Sequence, residues 1–273
     1  GFLTGLHDSP FHGFSVEFSD YRDYQPGDDL RHVDWRLFAR SDRLHIKRYM
    51  QETNVRFYVL CDTSASMAYR GAKAWGSKLD VARILAAALV WFLLRQNDAA
   101  GMITLGPEIG APQFIRPSQR PTQFGLMLRQ LEALRPAGGA RLAALLDHGV
   151  RLVHRRSVLL FFSDLLEPSE DVALHLKQLR FYGHECLIFQ ILDADEIEFP
   201  FAEAKIFEDL ETGGRRAVTP SVVREKYLTR FNAFMAAYQE LFRSLEMPHC
   251  LVRTDENPWR ALARFLAERK RMK

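Results

Sequence analysis

From Val55 onward, continuous apolar runs alternate with helical stretches, and this alternation restricts the fold more than any other feature of the chain. The runs "VRFYVLC", "SVLLFFSD" and "ECLIFQIL" lack the every-second-residue polar break of a half-exposed strand. Strands that read this way are buried on both faces, as in a parallel sheet covered by helices. Between them lie "LDVARILAAALVWFLLRQ", "PTQFGLMLRQLEAL", "RLAALLDHGVRLVH" and a helical pattern over 170–181. Ser77-Lys78-Leu79-Asp80 has the spacing of a capping box that opens the first of these helices. "AAGMITLG" and "APQFIRP" predict a strand and its hairpin partner, and "AKIFEDLETGGRRAVTP" predicts a hairpin turning at Thr212-Gly213-Gly214. A long helix from Pro220, the strand "HCLVR" and the helix "PWRALARFLAERK" close the sequence. The expected class is α/β, a mostly parallel central sheet with helices on both faces.

The first 54 residues read differently. "GFSVEF" and "LHIKRYMQE" predict extended strands, and between them lies a stretch dense in Arg, Asp and aromatic residues, with a turn signal at Pro26-Gly27-Asp28-Asp29. This divides the 273 residues into an N-terminal β-rich extension, 1–54, and an α/β domain, 55–273. A net charge of +3 is too small to argue for nucleic acid, and the basic tail "ERKRMK" reads as a solvated helix end. The longest uncharged apolar run, Ile84 to Leu94, is too short to span a bilayer and reads as a buried core helix, so no membrane segment is expected. Cys61, Cys186 and Cys250 lie far apart in apolar surroundings, which predicts buried free thiols and a cytoplasmic protein.

In such folds ligands bind beyond the carboxyl ends of the strands. Two polar clusters fall there: Asp62, Ser64 and Ser66 after the first buried strand, and Ser163-Asp164 after "VLLFF". In an extended segment, alternate residues face the same way, so Asp62, Ser64 and Ser66 aim three oxygens at one point. A carboxylate with hydroxyls and no His or Cys is a hard-oxygen set suited to Mg²⁺ or Mn²⁺, with Asp164 adding a second charge. Two other readings stand beside it. "VLCDTSA" matches the local pattern of an aspartic-protease loop, but that chemistry needs a second carboxylate motif, which is absent. The third is a plain polar turn that ends a strand.

D-x-S-x-S after a buried strand, with a later strand ending in Ser-Asp, resembles the metal-ion-dependent adhesion site of a von Willebrand factor A domain. Upstream, "YQPGDD", "R-x-V-D-W" and "AR" within "GFSVEFSDYRDYQPGDDLRHVDWRLFAR", followed by "LHIKRYMQE" and "DTSASM", resemble the bacterial family called domain of unknown function 58. The resemblance implies a Rossmann-like von Willebrand factor A fold, and an adaptor or co-chaperone working with a MoxR-type AAA+ ATPase. It implies metal ligands at Asp62, Ser64, Ser66 and Asp164. The middle ligand of that site is a Thr in "GGT"; here the sequence is Gly138-Gly139-Ala140, followed by Arg141. An inward-facing Arg141 would repel Mg²⁺ or Mn²⁺, or pair with Asp62.

Asp23, Asp28, Asp29 and Asp34 interleave with Arg22, Arg31, Arg36 and Arg40, which predicts a salt-bridge network. The competing reading is a docking surface, with Asp28, Asp29, Asp34 and Trp35 meeting a protein partner alongside Arg141, and Tyr21, Tyr24 and Trp35 as anchors. The leading functional expectation is a non-enzymatic module that binds a partner at the degenerate metal site. The alternative is a metal-dependent hydrolase, a phosphoesterase, using the same carboxylates. No P-loop and no G-x-S-x-G elbow is present.

Overall fold

The order of strands across the central sheet decides where the chain presents its polar loops. The structure is a computed structural model, and it describes residues 16–25, 33–41, 43–51, 55–106, 112–138, 141–166, 170–203, 205–208, 210 and 214–271. Two compact units divide the chain, Gly1–Asn54 and Val55–Lys273.

In the first unit, β1 (Val16–Asp23) and β2 (His45–Gln51) form an antiparallel pair, with Val16 opposite Gln51, Asp23 opposite His45 and an irregularity between Phe18 and Asp20. A short helix, α1 (Trp35–Ser41), stands between them, in the charged stretch where no helix is expected from the sequence. Its cause is local. Asp34 Oδ1 accepts from the backbone N–H groups of Arg36 (3.0 Å) and Leu37 (3.2 Å), satisfying donors that a helix start leaves free.

The second unit opens with β3 (Arg56–Cys61) and α2 (Lys78–Arg95). The capping box at α2 forms as the spacing predicts: Asp80 N donates to Ser77 Oγ at 3.1 Å and Ser77 N to Asp80 Oδ2 at 3.0 Å. Then follow β4 (Ala99–Leu105), β5 (Pro112–Ser118), α3 (Thr122–Ala133), α4 (Arg141–Leu152), β6 (Ser157–Ser163), α5 (Glu170–Phe181) and β7 (Glu185–Leu192). The chain ends with α6 (Ala194–Glu198), the hairpin β8 (Lys205–Glu208) and β9 (Arg215–Val218), α7 (Pro220–Ser244), β10 (His249–Arg253) and α8 (Pro258–Arg271). Six strands form one sheet in the order β10-β7-β6-β3-β4-β5, parallel throughout except that β5 runs antiparallel to β4. Chain order therefore reverses between β3 and β6, the topological switch of a doubly wound sheet. This is the Rossmann-like α/β architecture expected, a mostly parallel sheet with helices on both faces.

Every residue of β6 is buried, as its unbroken apolar run requires. On one face α4, α5 and the end of α7 pack Leu142, Leu146, Leu176 and Phe242 against Leu60, Ile103, Phe161 and Ile188. On the other, Phe162 stacks on Phe189 (centroids 4.9 Å apart), which meets Phe265 of α8. The helix α2 lies over this second face. It is not buried all round: Ile84 and Trp91 point to solvent, and Arg95 lies over the Trp91 ring. Cys61, Cys186 and Cys250 are buried free thiols. Among the described residues, no helix is long and apolar enough to cross a membrane.

Candidate functional site

The strands β3 and β6 lie side by side with Cys61 level with Phe162, so the residues that follow them arrive together at the sheet's carboxyl rim. Asp62 N donates to Phe162 O at 2.9 Å. The Asp62 carboxylate is then held by three donors. Oδ1 accepts from Ser64 N at 2.8 Å, and Oδ2 accepts from Ser64 Oγ at 3.1 Å and from Ser163 Oγ at 2.6 Å. Leu165 N donates to Ser163 Oγ at 2.9 Å, which leaves the Ser163 proton for Asp62. Ser66 joins through its hydroxyl, 3.1 Å from Ser64 Oγ. The segment is not extended as its alternation suggested: it turns into a 3-10 helix, Ala65–Ala68, directly after Ser64. Asp62 is 1% exposed. Burial pushes its carboxyl up to about 7; the negative charge of Asp164 adds to this, and the hydrogen bonds from Ser163 and Ser64 oppose it.

Asp164 faces a different partner. Its Oδ2 lies 2.7 Å from Lys78 Nζ, and its Oδ1 accepts from Leu166 N at 3.0 Å. Lys78, the first residue of α2, is fully buried, and its ammonium also reaches Glu196 Oε1 at 2.6 Å. Burial pulls the lysine pKa down, but the two carboxylates outweigh it and hold the group above its ordinary range. Glu196 is itself fixed by α6, whose N-cap Asp193 offers its N–H to Glu196 Oε2 at 2.8 Å. Between Asp164 and this network the backbone is strained: Leu165 is buried at φ 59°, a left-handed conformation that a branched side chain rarely adopts.

Arg141 opens α4 and is 1% exposed. Its Nε donates to Thr63 Oγ1 at 3.1 Å and its Nη2 to Gly106 O at 2.6 Å. The guanidinium thus ties the start of α4 to the loops after β3 and β4, out of a partner's reach. Ala137 N donates to Thr63 O at 2.9 Å, which seats the loop before α4 beside Ser64. Gly139 and Ala140 lie outside the described residues.

These residues fit a hard divalent cation poorly. Such an ion needs oxygen ligands with free lone pairs and a surplus of negative charge. Here the second carboxylate is already paired with an ammonium that it shares with Glu196, both Asp62 oxygens are engaged by donors, and the threonine hydroxyl is replaced by a methyl group. Among the described residues, no three His, Cys, Asp or Glu side chains gather as a metal-holding group.

The remaining expected positions belong to the first unit. Asp34 is buried and caps α1, whereas Trp35 is exposed and meets Phe38 edge to face, with centroids 6.2 Å apart. Asp23 pairs with His45 at 3.1 Å. Asp28, Asp29 and Arg31 lie outside the described residues. The sequence reading missed Lys78 and Glu196. Lys78 was legible only as a capping-box interior residue, and Glu196 had a signal that went unused, the D-x-x-E spacing from Asp193 to Glu196.

Comparison with known proteins finds relatives along almost the whole chain. The chain is 30% identical over 281 residues to the uncharacterized protein Rv1480 of Mycobacterium tuberculosis, covering 99% of this chain and 85% of the relative; the uncharacterized protein Mb1516 of Mycobacterium bovis matches equally. Among solved structures, an aerotolerance-related membrane protein from Bacteroides fragilis has a TM-score of 0.49 at 16% identity, covering 80% of this chain and 100% of the other. The conserved hypothetical protein BatB from Bacteroides thetaiotaomicron has a TM-score of 0.44 at 14% identity, covering 80% and 99%. The family model described as protein of unknown function DUF58 matches residues 20–236, and the chain belongs to that family.

Proposed function

We propose that the chain is a non-enzymatic protein-interaction module, whose partner docks on the rim built over Asp62, Ser64, Ser66 and Asp164. One observation supports this reading above others. The polar groups of the rim are spent on holding loops together: Asp62, Ser64, Ser163 and Asp164 are each at most 3% exposed, too buried to meet a substrate. A phosphoesterase would need open carboxylates around an activated water, and the Lys78 pairing works against that. What the segment after Asp62 offers outward includes Ala68, at the end of the 3-10 helix, and Arg70, both exposed.

The partner that fits the family resemblance is a MoxR-type AAA+ ATPase, for which the chain would act as adaptor or co-chaperone. A cytoplasmic setting belongs to the same proposal, supported by the three buried free thiols. Co-precipitation with such an ATPase tests it. Recovery is expected to fall about tenfold for Ala68→Arg/Arg70→Glu, two exposed positions whose change leaves the buried cluster intact. Equal recovery with wild type and variant removes the rim from the mechanism, and no recovery with either removes the ATPase.

A further inference from the structure

Beside the rim, α6, α7 and the hairpin β8–β9 border a cavity of about 1000 Å³. Its volume lies at the upper end of what ligand sites offer, and its walls are mostly aromatic and aliphatic. Phe199 packs on Tyr227 (4.7 Å between centroids) and Tyr227 stacks on Phe231 (5.8 Å), forming a continuous aromatic wall. Tyr69 and Leu166 belong to the same lining, so the cavity adjoins the loops that carry Asp62 and Asp164.

The charges in the lining are unevenly committed. Asp195 accepts from Tyr69 OH at 3.1 Å, and Glu196 is paired with Lys78. Lys226 and Arg230, one helical turn apart on α7, line the same cavity. Among the described residues neither has an ion-pair partner. Glu196 is thus neutralised by a cation and Asp195 has a phenol donor, so two open cations face one uncompensated carboxylate, which favours an anionic occupant. The apolar lining is open to solvent at its rim: Ile206 is 72% exposed and Leu210 is 45% exposed. A small ligand inside the cavity would leave this rim wet, whereas a polypeptide covers cavity and rim together.

We propose that the cavity seats a short segment of the partner protein, with aromatic or aliphatic anchors followed by carboxylates that meet Lys226 and Arg230. This deepens the interaction-module reading and rests on it. The aromatic wall takes the anchors, as buried hot-spot pockets do, and the two cations fix the segment's direction.

The experiment uses the whole chain and a displayed library of random short peptides, followed by fluorescence anisotropy of synthetic copies of the enriched sequences. The expected result is enrichment of peptides that join Phe, Tyr, Trp or Leu to Asp or Glu. Their binding is expected to weaken about tenfold or more for Lys226→Glu/Arg230→Glu and for Ile206→Asp, all at exposed positions where folding tolerates change. Failure to enrich any sequence, enrichment of basic peptides, or equal binding by wild type and both variants overturns the proposal. Displacement of the peptides by sodium dodecanoate, binding as tightly as they do, assigns the cavity to a free acyl carboxylate and overturns it as well. Peptide binding lost in Lys226→Glu/Arg230→Glu with ATPase recovery unchanged keeps the cavity site and separates it from the choice of ATPase.

Discussion

Lys78 Nζ sits 2.7 Å from Asp164 Oδ2, and neither side chain meets solvent. A buried charge pair adds little net stability over an apolar substitute, but removing one member strands the other in a low-dielectric interior. Lys78→Met leaves Asp164 and Glu196 with no cation between them. A loss of about 3–5 kcal/mol is expected, read from urea denaturation. Neutralising the stranded groups as well, in Lys78→Met/Asp164→Asn/Glu196→Gln, is expected to recover most of the loss. A single-variant cost below about 1 kcal/mol would show that the ammonium does not hold the rim together.

The same geometry bears on metal. A ligand that binds only the folded state raises the thermal midpoint, with the logarithm of its concentration over its Kd once that ratio is large. Millimolar Mg²⁺ or Mn²⁺ is expected to leave the Tm of the wild type unchanged. In Lys78→Ala the departing ammonium frees Asp164, and a metal-dependent rise in Tm should appear. A clear Mn²⁺-dependent rise in the wild type would restore the adhesion-site reading.

Asp62 and His249 give opposite pH dependences. Burial raises the Asp62 carboxyl to about 7, so between the ordinary carboxylate range and about 7 the folded chain keeps a proton that the unfolded chain releases. Stability from this group therefore falls as pH rises through that window, and the full cost is in force above about 7. Asp62→Asn retains an acceptor for Ser64 N and removes the charge. It should flatten this slope and exceed the wild type in stability at about pH 8, measured by urea midpoints across the range.

His249 Nε2 lies 3.0 Å from Gln190 Oε1, and Gln190 Nε2 donates to Asp164 O at 3.1 Å. Burial lowers the imidazole pKa to about 4. From the ordinary histidine range down to about 4 the unfolded chain binds a proton that the folded chain refuses, so stability is lost as pH falls. His249→Gln should remove that acid-side loss. An imidazole titrating in its ordinary range by NMR would refute the buried neutral form.

Gly71 offers a steric test. A Cβ built there would stand 2.2 Å from Asp193 Oδ1, whose carboxylate also accepts from Gly71 N at 2.9 Å and Thr254 Oγ1 at 2.6 Å. Gly71→Ala must displace that carboxylate and with it the cap of α6. A loss of roughly 1–3 kcal/mol is expected, measured by thermal or urea unfolding.

Much of the second unit was legible because its signals are local. Unbroken apolar runs gave the buried strands, and Ser77 with Asp80 gave the start of α2. The rim was legible in part: Asp62, Ser64, Ser66 and Ser163 carry polar groups at strand ends, where the sheet order joins them. Lys78 was not legible, since its partners come from residues 164 and 196 and a lysine in a first helical turn ordinarily faces water. Arg141 was noticed for its charge, but its acceptors, Thr63 and Gly106, follow from the tertiary arrangement alone. The α1 helix was missed because a single aspartate cap governs a segment otherwise crowded with charges.

The Lys78 ammonium pins three distant stretches, the head of α2, the turn after β6 and the short α6, into one rigid junction. A junction riveted by a charge from its own chain needs no added cation to hold these stretches together. Chelators and swings in divalent-ion supply are expected to leave this junction alone, whereas acidity reaches the same rim through the Asp62 carboxyl.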